Sequence, residues 1–269
     1  MSSCISGCNS CPMKSQCTSS KAPEALHLSI TSQFANKHLL AVMSGKGGVG
    51  KSTVAAATAQ ALASLGTVTL VDLDIAGPSI PRITNTTPSL ELGEVLTSTP
   101  LSESFRVITP PLSLLSQNHV PGAHVLNYLA KIQESSEIIV FDMPPGTSDA
   151  HITLSKLFPQ LKVLLVATGH PLSLSDLQRE ITFCQKTQLE IIGLIENMAA
   201  GQCTHCAHSL SFFPTNDLQA LCQDKNIPIL QSIPINQQIA KDSDAGTVPN
   251  LITSQTLTQI HNRLFGKFS

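Results

Sequence analysis

Residues 44 to 53 read Ser44-Gly45-Lys46-Gly47-Gly48-Val49-Gly50-Lys51-Ser52-Thr53, which fills the G-x-x-x-x-G-K-[ST] phosphate-loop pattern. Glycines let such a loop curl until its N–H groups point inward at phosphate oxygens. Lys51 adds a positive charge, and the Ser52 hydroxyl can ligate Mg2+. A second lysine, Lys46, stands too early in the loop to share the job of Lys51. Downstream, two apolar runs end in acids: Thr67 to Asp72 leads into Asp72-Leu73-Asp74, and Glu137 to Asp142 leads into Asp142-Met143-Pro144-Pro145-Gly146-Thr147. In phosphoryl-transfer enzymes of this kind one strand-end acid holds a Mg2+-bound water and another orients the attacking water; Asp142 suits the first task and Asp74 the second. Asp72 reads either as a further acid of the site or as a turn former. Pro144-Pro145-Gly146 is a stiff turn fit to sense a terminal phosphate.

Sulfur supplies the other chemistry. Of eight cysteines, six fall in two groups: Cys4, Cys8, Cys11 and Cys17 near the start, and Cys203 and Cys206 at C-x-x-C spacing. Two thiolates so spaced grip one metal or one edge of a cluster, half of a tetrathiolate set, which a dimer axis beside the loop would complete. Zinc, completed by His205 or His208, and a redox dithiol use the same spacing. Four cysteines within fourteen positions of the tail favour a metal or cluster site. Cys184 and Cys222 fall on expected helices and read as small buried hydrophobes.

The elements that position these groups are legible as alternation. Leu39 to Met43 is a strand before the loop, and Ala55 to Leu65 a helix after it. Strands at 67–72, 137–142, 161–167, 190–196 and 227–231 alternate with helices at 125–134, 149–158, 172–187 and 217–225. Such a pattern predicts an α/β fold with a doubly wound, mostly parallel sheet, buried on both faces, its nucleotide at the C-terminal edge of the strands. Residues 1–36 read as a cysteine-rich tail that needs a metal for order, and residues 37–269 as the phosphate-loop domain. The stretch 85–117 has only weak periodicity.

The chain has 269 residues, enough for one large core, and 16 Lys plus Arg against 18 Asp plus Glu. A net charge of -2 leaves little field for nucleic acid or an anionic membrane. With no apolar run long enough for a membrane span and no leader-like N-terminus, a cytoplasmic location is expected.

With the lysine-rich loop, Asp74-x-x-Gly77-Pro78-Ser79, Asp142-x-Pro144-Pro145-Gly146-Thr147-Ser148-Asp149, Glu196-Asn197-Met198 and Cys203-x-x-Cys206 in this order, the chain resembles the Mrp and nucleotide-binding-protein family of iron-sulfur cluster assembly ATPases. The tail's Cys8-x2-Cys11-x5-Cys17 is similar to the N-terminal motif of the cytosolic scaffold branch. The resemblance implies the SIMIBI, MinD-like type of P-loop fold and a dimer, with Lys46 reaching the partner's nucleotide. It implies ATP and Mg2+ held by residues 45 to 53, Asp74 positioning water, and Asn197 contacting adenine. It further implies a labile 4Fe-4S cluster bridging Cys203 and Cys206 of two subunits, a second cluster on the tail with Cys4, Cys8, Cys11 and Cys17, and slow ATP hydrolysis coupled to cluster transfer to apo-proteins. The assembly is either a homodimer or a complex with a tail-less paralogue. Departures from the family pattern are Thr204 where proline usually follows the first cysteine, Cys4 close to Cys8, and no Arg-Gly-Pro segment between Gln117 and Asn127. Three rival readings share parts of this pattern: a MinD- or ParA-like positioning ATPase, a nucleotide-gated electron-transfer protein, and a zinc metallochaperone. The first would use the end, Ile260 to Phe268, as a membrane helix, for which docking on the core is the competing role.

Overall fold

A computed structural model describes residues 22–89, 93, 95–114, 121–202, 205–206, 209–210 and 215–266. The chain opens with helix α1 (Ala22–Phe34), then strand β1 (His38–Met43), helix α2 (Lys51–Leu62), β2 (Val68–Asp72) and the short α3 (Ile80–Thr84). Next come β3 (Thr99–Pro100), β4 (Phe105–Ile108), a 3-10 turn (Leu112–Leu114), α4 (Gly122–Ala130), β5 (Ile138–Asp142), α5 (Asp149–Leu157) and β6 (Lys162–Ala167). The remainder is α6 (Pro171–Thr187), β7 (Glu190–Asn197), β8 (Gly201–Gln202), β9 (Ser209–Leu210), α7 (Thr215–Asp224), β10 (Ile229–Ile233), α8 (Gln237–Asp244) and α9 (Ser254–Leu264).

Eight strands form one sheet in the order β10-β7-β6-β1-β5-β2-β4-β3, every pair parallel except β3 with β4. The strand order reverses around β1, and helices pack on both faces, as expected for a doubly wound sheet. In β1 the apolar run divides its side chains between two cores. Leu39, Ala41 and Met43 join one with α1, α4, α5, α6 and α7, while Leu40 and Val42 join the other with α2, α3 and α9. A strand covered on both sides has no polar face, so its sequence shows no alternation.

One boundary moves. Residues 1–36 read as a tail, yet α1 lies within that stretch and packs into the core: Ile30 and Phe34 are both fully buried. Phe34 sits 5.3 Å from Phe158 and 6.2 Å from Phe141, ring centre to ring centre. Leu26, Ile30 and Phe34 recur every four residues, a sparse stripe that the many serines around it conceal. Cys4, Cys8, Cys11 and Cys17 lie outside the described residues. Phe34→Ala is expected to destabilise the domain by about 3–5 kcal/mol through the cavity it opens. Chemical denaturation at unchanged m-value checks this, and a wild-type midpoint would mean that α1 is not part of the cooperative unit.

Within 85–117 the described residues form β3 and β4 on the sheet's far edge and, after them, the 3-10 turn; such short elements carry too little periodicity to be read in advance. Besides α1, the helices α3, α8 and α9 were not among those expected. α9 covers residues assigned a possible membrane role, and its Ile260 and Leu264 are buried against the sheet. Lys162 Nζ also donates to the carbonyl of Arg263 at 2.6 Å. Among the described residues no helix is long and apolar enough to cross a membrane.

Candidate nucleotide site

Three central strands, β1, β5 and β2, deliver the phosphate loop, Asp142 and Asp72 to the same edge of the sheet. Parallel register sets Val42 beside Asp142 and Asp142 beside Asp72. Gly50 is the N-terminal cap of α2, in the left-handed region at φ 82°, and Lys51 and Ser52 begin the helix. The first N–H groups of α2 and the positive end of its dipole therefore face the loop's interior. Glycine at position 50 is favoured by its φ, and a Cβ there would lie 2.2 Å from Asn197 Nδ2, which would have to move.

A cavity of about 180 Å3 is lined by Lys46, Gly47, Gly48, Gly50, Lys51, Ser52, Thr53 and Asp74, with Ser79, Ile83 and Pro145 closing it. Lys51, 6% exposed, places Nζ 2.5 Å from Asp142 Oδ1 and 3.3 Å from Ser52 Oγ. Asp142 is fully buried and pairs with Lys51, and among the described residues its Oδ2 has no hydrogen-bond partner. Asp72 is also fully buried; its Oδ1 accepts the Asp74 N–H at 3.0 Å, so it shapes the turn that presents Asp74 to the cavity. Burial, then the neighbouring Asp142, push the Asp72 carboxyl well above the ordinary range. Burial also raises Asp74, opposed by Lys51. Lys46 is exposed at the rim and makes no ion pair among the described residues.

Beside Gly50 and Thr53 the phosphate cavity meets a second pocket of about 300 Å3, walled by Asn197, Met198, Pro234, Ile235, Ile239 and Leu251. Asn197 ends β7 and donates Nδ2 to the carbonyl of Val49 at 2.9 Å, which ties the phosphate loop to this pocket. An apolar slot next to a phosphate cradle has the shape and chemistry to take a flat heterocycle. Apart from Asn197 its walls were not foreseen: Pro234, Ile235, Ile239 and Leu251 are ordinary apolar residues, and only the parallel pairing of β10 with β7 brings them to Asn197.

Past Asn197 the chain turns through Met198, at φ 55°, and enters the two-stranded ribbon of β8 and β9. That ribbon brackets residues 203–208 and sets the Cys206 thiol in an exposed turn; Cys203 lies outside the described residues. Among the described residues no three metal-ligating side chains converge. Cys184 and Cys222 are buried, with thiols pushed up to about 12 and about 11 by desolvation, in keeping with their reading as core residues.

Sheet order, loop and cradle together define a P-loop nucleotide-binding protein of the MinD and ParA fold. Residues 35–266 match the model of the ParA family described as NUBPL iron-transfer P-loop NTPase, and the chain belongs to that family. It is 31% identical to a cytosolic Fe-S cluster assembly factor Nubp1 homolog of Drosophila sechellia, over 98% of this chain and 94% of that one. Identity to a NUBP2 homolog of Nematostella vectensis is 31%, over 87% and 93%. Among solved structures, a nucleotide-binding protein of Archaeoglobus fulgidus in complex with ADP, with Co found by PIXE, superposes with TM-score 0.69 at 27% identity, covering 82% of this chain and 92% of that one. The cell division ATPase MinD of Pyrococcus furiosus, 18% identical with TM-score 0.63, covering 86% and 99%, shares the fold.

Proposed function

We propose that this chain is an ATP-driven carrier for an iron-sulfur cluster, held as cargo between two copies of the C-x-x-C loop and passed to apo-proteins. The observation that carries this reading is the adjacency of two half-finished devices on one stretch of chain. Asn197 anchors the phosphate loop, and nine positions later Cys206 stands exposed in a turn beyond a short ribbon. A single chain offers two thiolates, Cys203 and Cys206, where a four-iron cube takes four. Two copies related by a two-fold axis supply the set, and an axis running beside both features would make nucleotide occupancy and cluster grip parts of one interface.

Within each copy, Lys51 and the backbone N–H groups of residues 45 to 53 hold the phosphates of ATP. Ser52 and Asp142 are the residues to hold Mg2+, which supplies charge to the transferring phosphate. Asp74 orients the attacking water, and Lys46 crosses to the partner's nucleotide. Hydrolysis is slow and serves to reset the grip rather than to supply chemistry. The relatives' printed names, cytosolic Fe-S cluster assembly factors of both the Nubp1 and NUBP2 kinds, support a cytosolic role. The working assembly is a homodimer or a pairing with a tail-less paralogue. The tail cysteines Cys4, Cys8, Cys11 and Cys17 hold a second cluster.

Anaerobic reconstitution with iron and sulfide, read by metal analysis and by native mass, tests the proposal. The wild-type chain is expected to pair and turn brown. Cys206→Ala is expected to lose one cube per pair of chains while keeping its affinity for ATP. Unchanged iron and sulfide in that variant, or a stoichiometric zinc site that excludes iron, would remove the cluster from this loop.

A further inference from the structure

Two short helices frame the nucleotide site. α3 lines the phosphate cavity with Ile83 and its cap Ser79, and α8 walls the apolar pocket with Ile239, Ala240, Ser243 and Asp244. The two cavities share Gly50 and Thr53, and the two helices pack against each other. Their contact has two parts. Arg82 of α3 pairs with Asp244 of α8, Nη2 to Oδ1, at 2.8 Å. The other part is backbone: a Cβ on Gly246, just past the end of α8, would lie 2.4 Å from Cβ and 3.1 Å from Cα of Asn85, the residue that ends α3.

The second part is the stiffer one. Side chains 74% and 64% exposed hold an ion pair loosely, whereas main chain set against main chain cannot adjust by turning a side chain. Capping explains only half of Gly246. The Thr247 N–H donates to the carbonyl of Asp242 at 2.9 Å and the Gly246 N–H to that of Ser243 at 3.2 Å, a helix stop that suits the observed φ of 72°. Asparagine also serves at such a stop, but here its side chain would run into Asn85. In the other direction α3 is joined to Asp74. Asp72 Oδ1 accepts the Asp74 N–H, the Asp74 carbonyl accepts the Gly77 N–H at 3.1 Å, and the Ser79 carbonyl accepts the Ile83 N–H at 3.2 Å. The run from Asp74 to Asn85 is therefore short and internally bonded. α8, by contrast, has no buried residue, so the core leaves its position to its neighbours.

We propose that Arg82, Asn85, Asp244 and Gly246 are positioning residues: a base in the apolar pocket sets α8, α8 sets α3, and α3 sets Asp74 against the attacking water. The inference rests on the nucleotide reading above. It adds that the base, remote from the bond that breaks, raises the rate of hydrolysis and not only the affinity. Binding energy from a non-reacting part of the substrate then appears in kcat, and a substrate cut down to ribose and phosphates loses it.

Phosphate release from ATP and from ribose 5′-triphosphate, each saturating and with Mg2+, reads the effect as a ratio of the two kcat values. That ratio is expected to be about ten in the wild type. Gly246→Ala pushes α3 away from α8 and should bring the ratio to about one, with KM for ATP within about twofold of wild type. Asn85→Gly removes the Cβ that the added methyl would strike. The variant carrying both changes should therefore recover most of the ratio, although φ at position 246 still disfavours alanine. A role confined to the end of α8 would lower both rates together and leave the ratio at about ten. Arg82→Glu, at an exposed site, should cut the ratio about threefold at low ionic strength and less in about 0.5 M salt. A ratio of about ten in Gly246→Ala, or in Arg82→Glu at low salt, would overturn the linkage. A doubly changed variant as low as Gly246→Ala would do the same, and so would a wild-type ratio of about one. A wild type that does not turn over ATP would instead sink the ATPase reading on which the linkage stands.

Discussion

Lys51→Ala is expected to do two things at once: abolish measurable nucleotide binding, and lower the stability of the nucleotide-free protein by about 3–5 kcal/mol. The first follows from the removal of the charge that faces the phosphates. The second follows from what Lys51 does when no nucleotide is present. Its ammonium lies 2.5 Å from Asp142 in a site where both side chains are shut off from water. Asp142 is the register neighbour of Asp72, which is also fully buried. Without Lys51 two carboxyls share a dry corner with no cation between them, and at least one must take up a proton or draw in water. Lys51→Ala combined with Asp142→Asn should recover most of the lost stability and none of the binding, because the amide needs no counter-charge whereas the phosphates still do. Denaturant midpoints of the wild type, Lys51→Ala and the double variant, with isothermal titration of ATP, decide it. A single variant as stable as wild type would mean that the Lys51 to Asp142 pair contributes nothing to the apo fold.

Lys46→Ala is expected to leave ATP affinity within a few fold and to cut turnover about 10^3-fold, in the range of a cation supplied in trans to a transferring phosphate. The side chain is exposed at the rim of its own phosphate cavity, so within one chain it has little to neutralise. A mixing experiment separates action across a dimer from action in its own site. Asp74→Asn should be nearly inactive because, on the function proposed above, Asp74 orients the attacking water. In a mixed dimer of Lys46→Ala and Asp74→Asn chains, the site on the first chain has its own Asp74 and receives Lys46 from the second. Random pairing in a two-fold dimer should then restore about a quarter of wild-type turnover. Two inactive proteins that stay inactive when mixed would place Lys46 in its own subunit's site.

Those variants were chosen from residues whose types announce their chemistry, and the structure brings these together where alternation of strands and helices implies. Lys51, Ser52 and Asp74 line one cavity, with Asp142 paired to Lys51, because parallel β1, β5 and β2 all end at the same edge. Local pattern was sufficient for this, since each strand is a continuous apolar run and each acid sits at a run's end. The same logic did not reach α1. Leu26, Ile30 and Phe34, spaced among polar residues of α1, have no meaning until Phe141 and Phe158 stand opposite Phe34.

His151 shows the limit most clearly. Read along the chain it is one histidine after Ser148-Asp149-Ala150, with nothing to distinguish it from a surface residue. The buried Glu180, 3.4 Å from its Nε2, lies on another helix with a strand between, and a long-range approach of buried polar groups leaves no periodic trace in either segment.

The order of residues alone therefore determined the phosphate loop, the strand-end acids beside it, the parallel layered sheet and the presence of two sulfur-rich segments, because each is encoded within a few neighbouring positions. Only folding in three dimensions decided that α1 belongs to the core, that the walls beside Asn197 form a pocket, that Asp72 is sealed next to Asp142, and that α3 and α8 meet at Asn85 and Gly246. Those features depend on which distant segments share a face of the sheet, and that is set by the total packing of the chain rather than by any stretch of it.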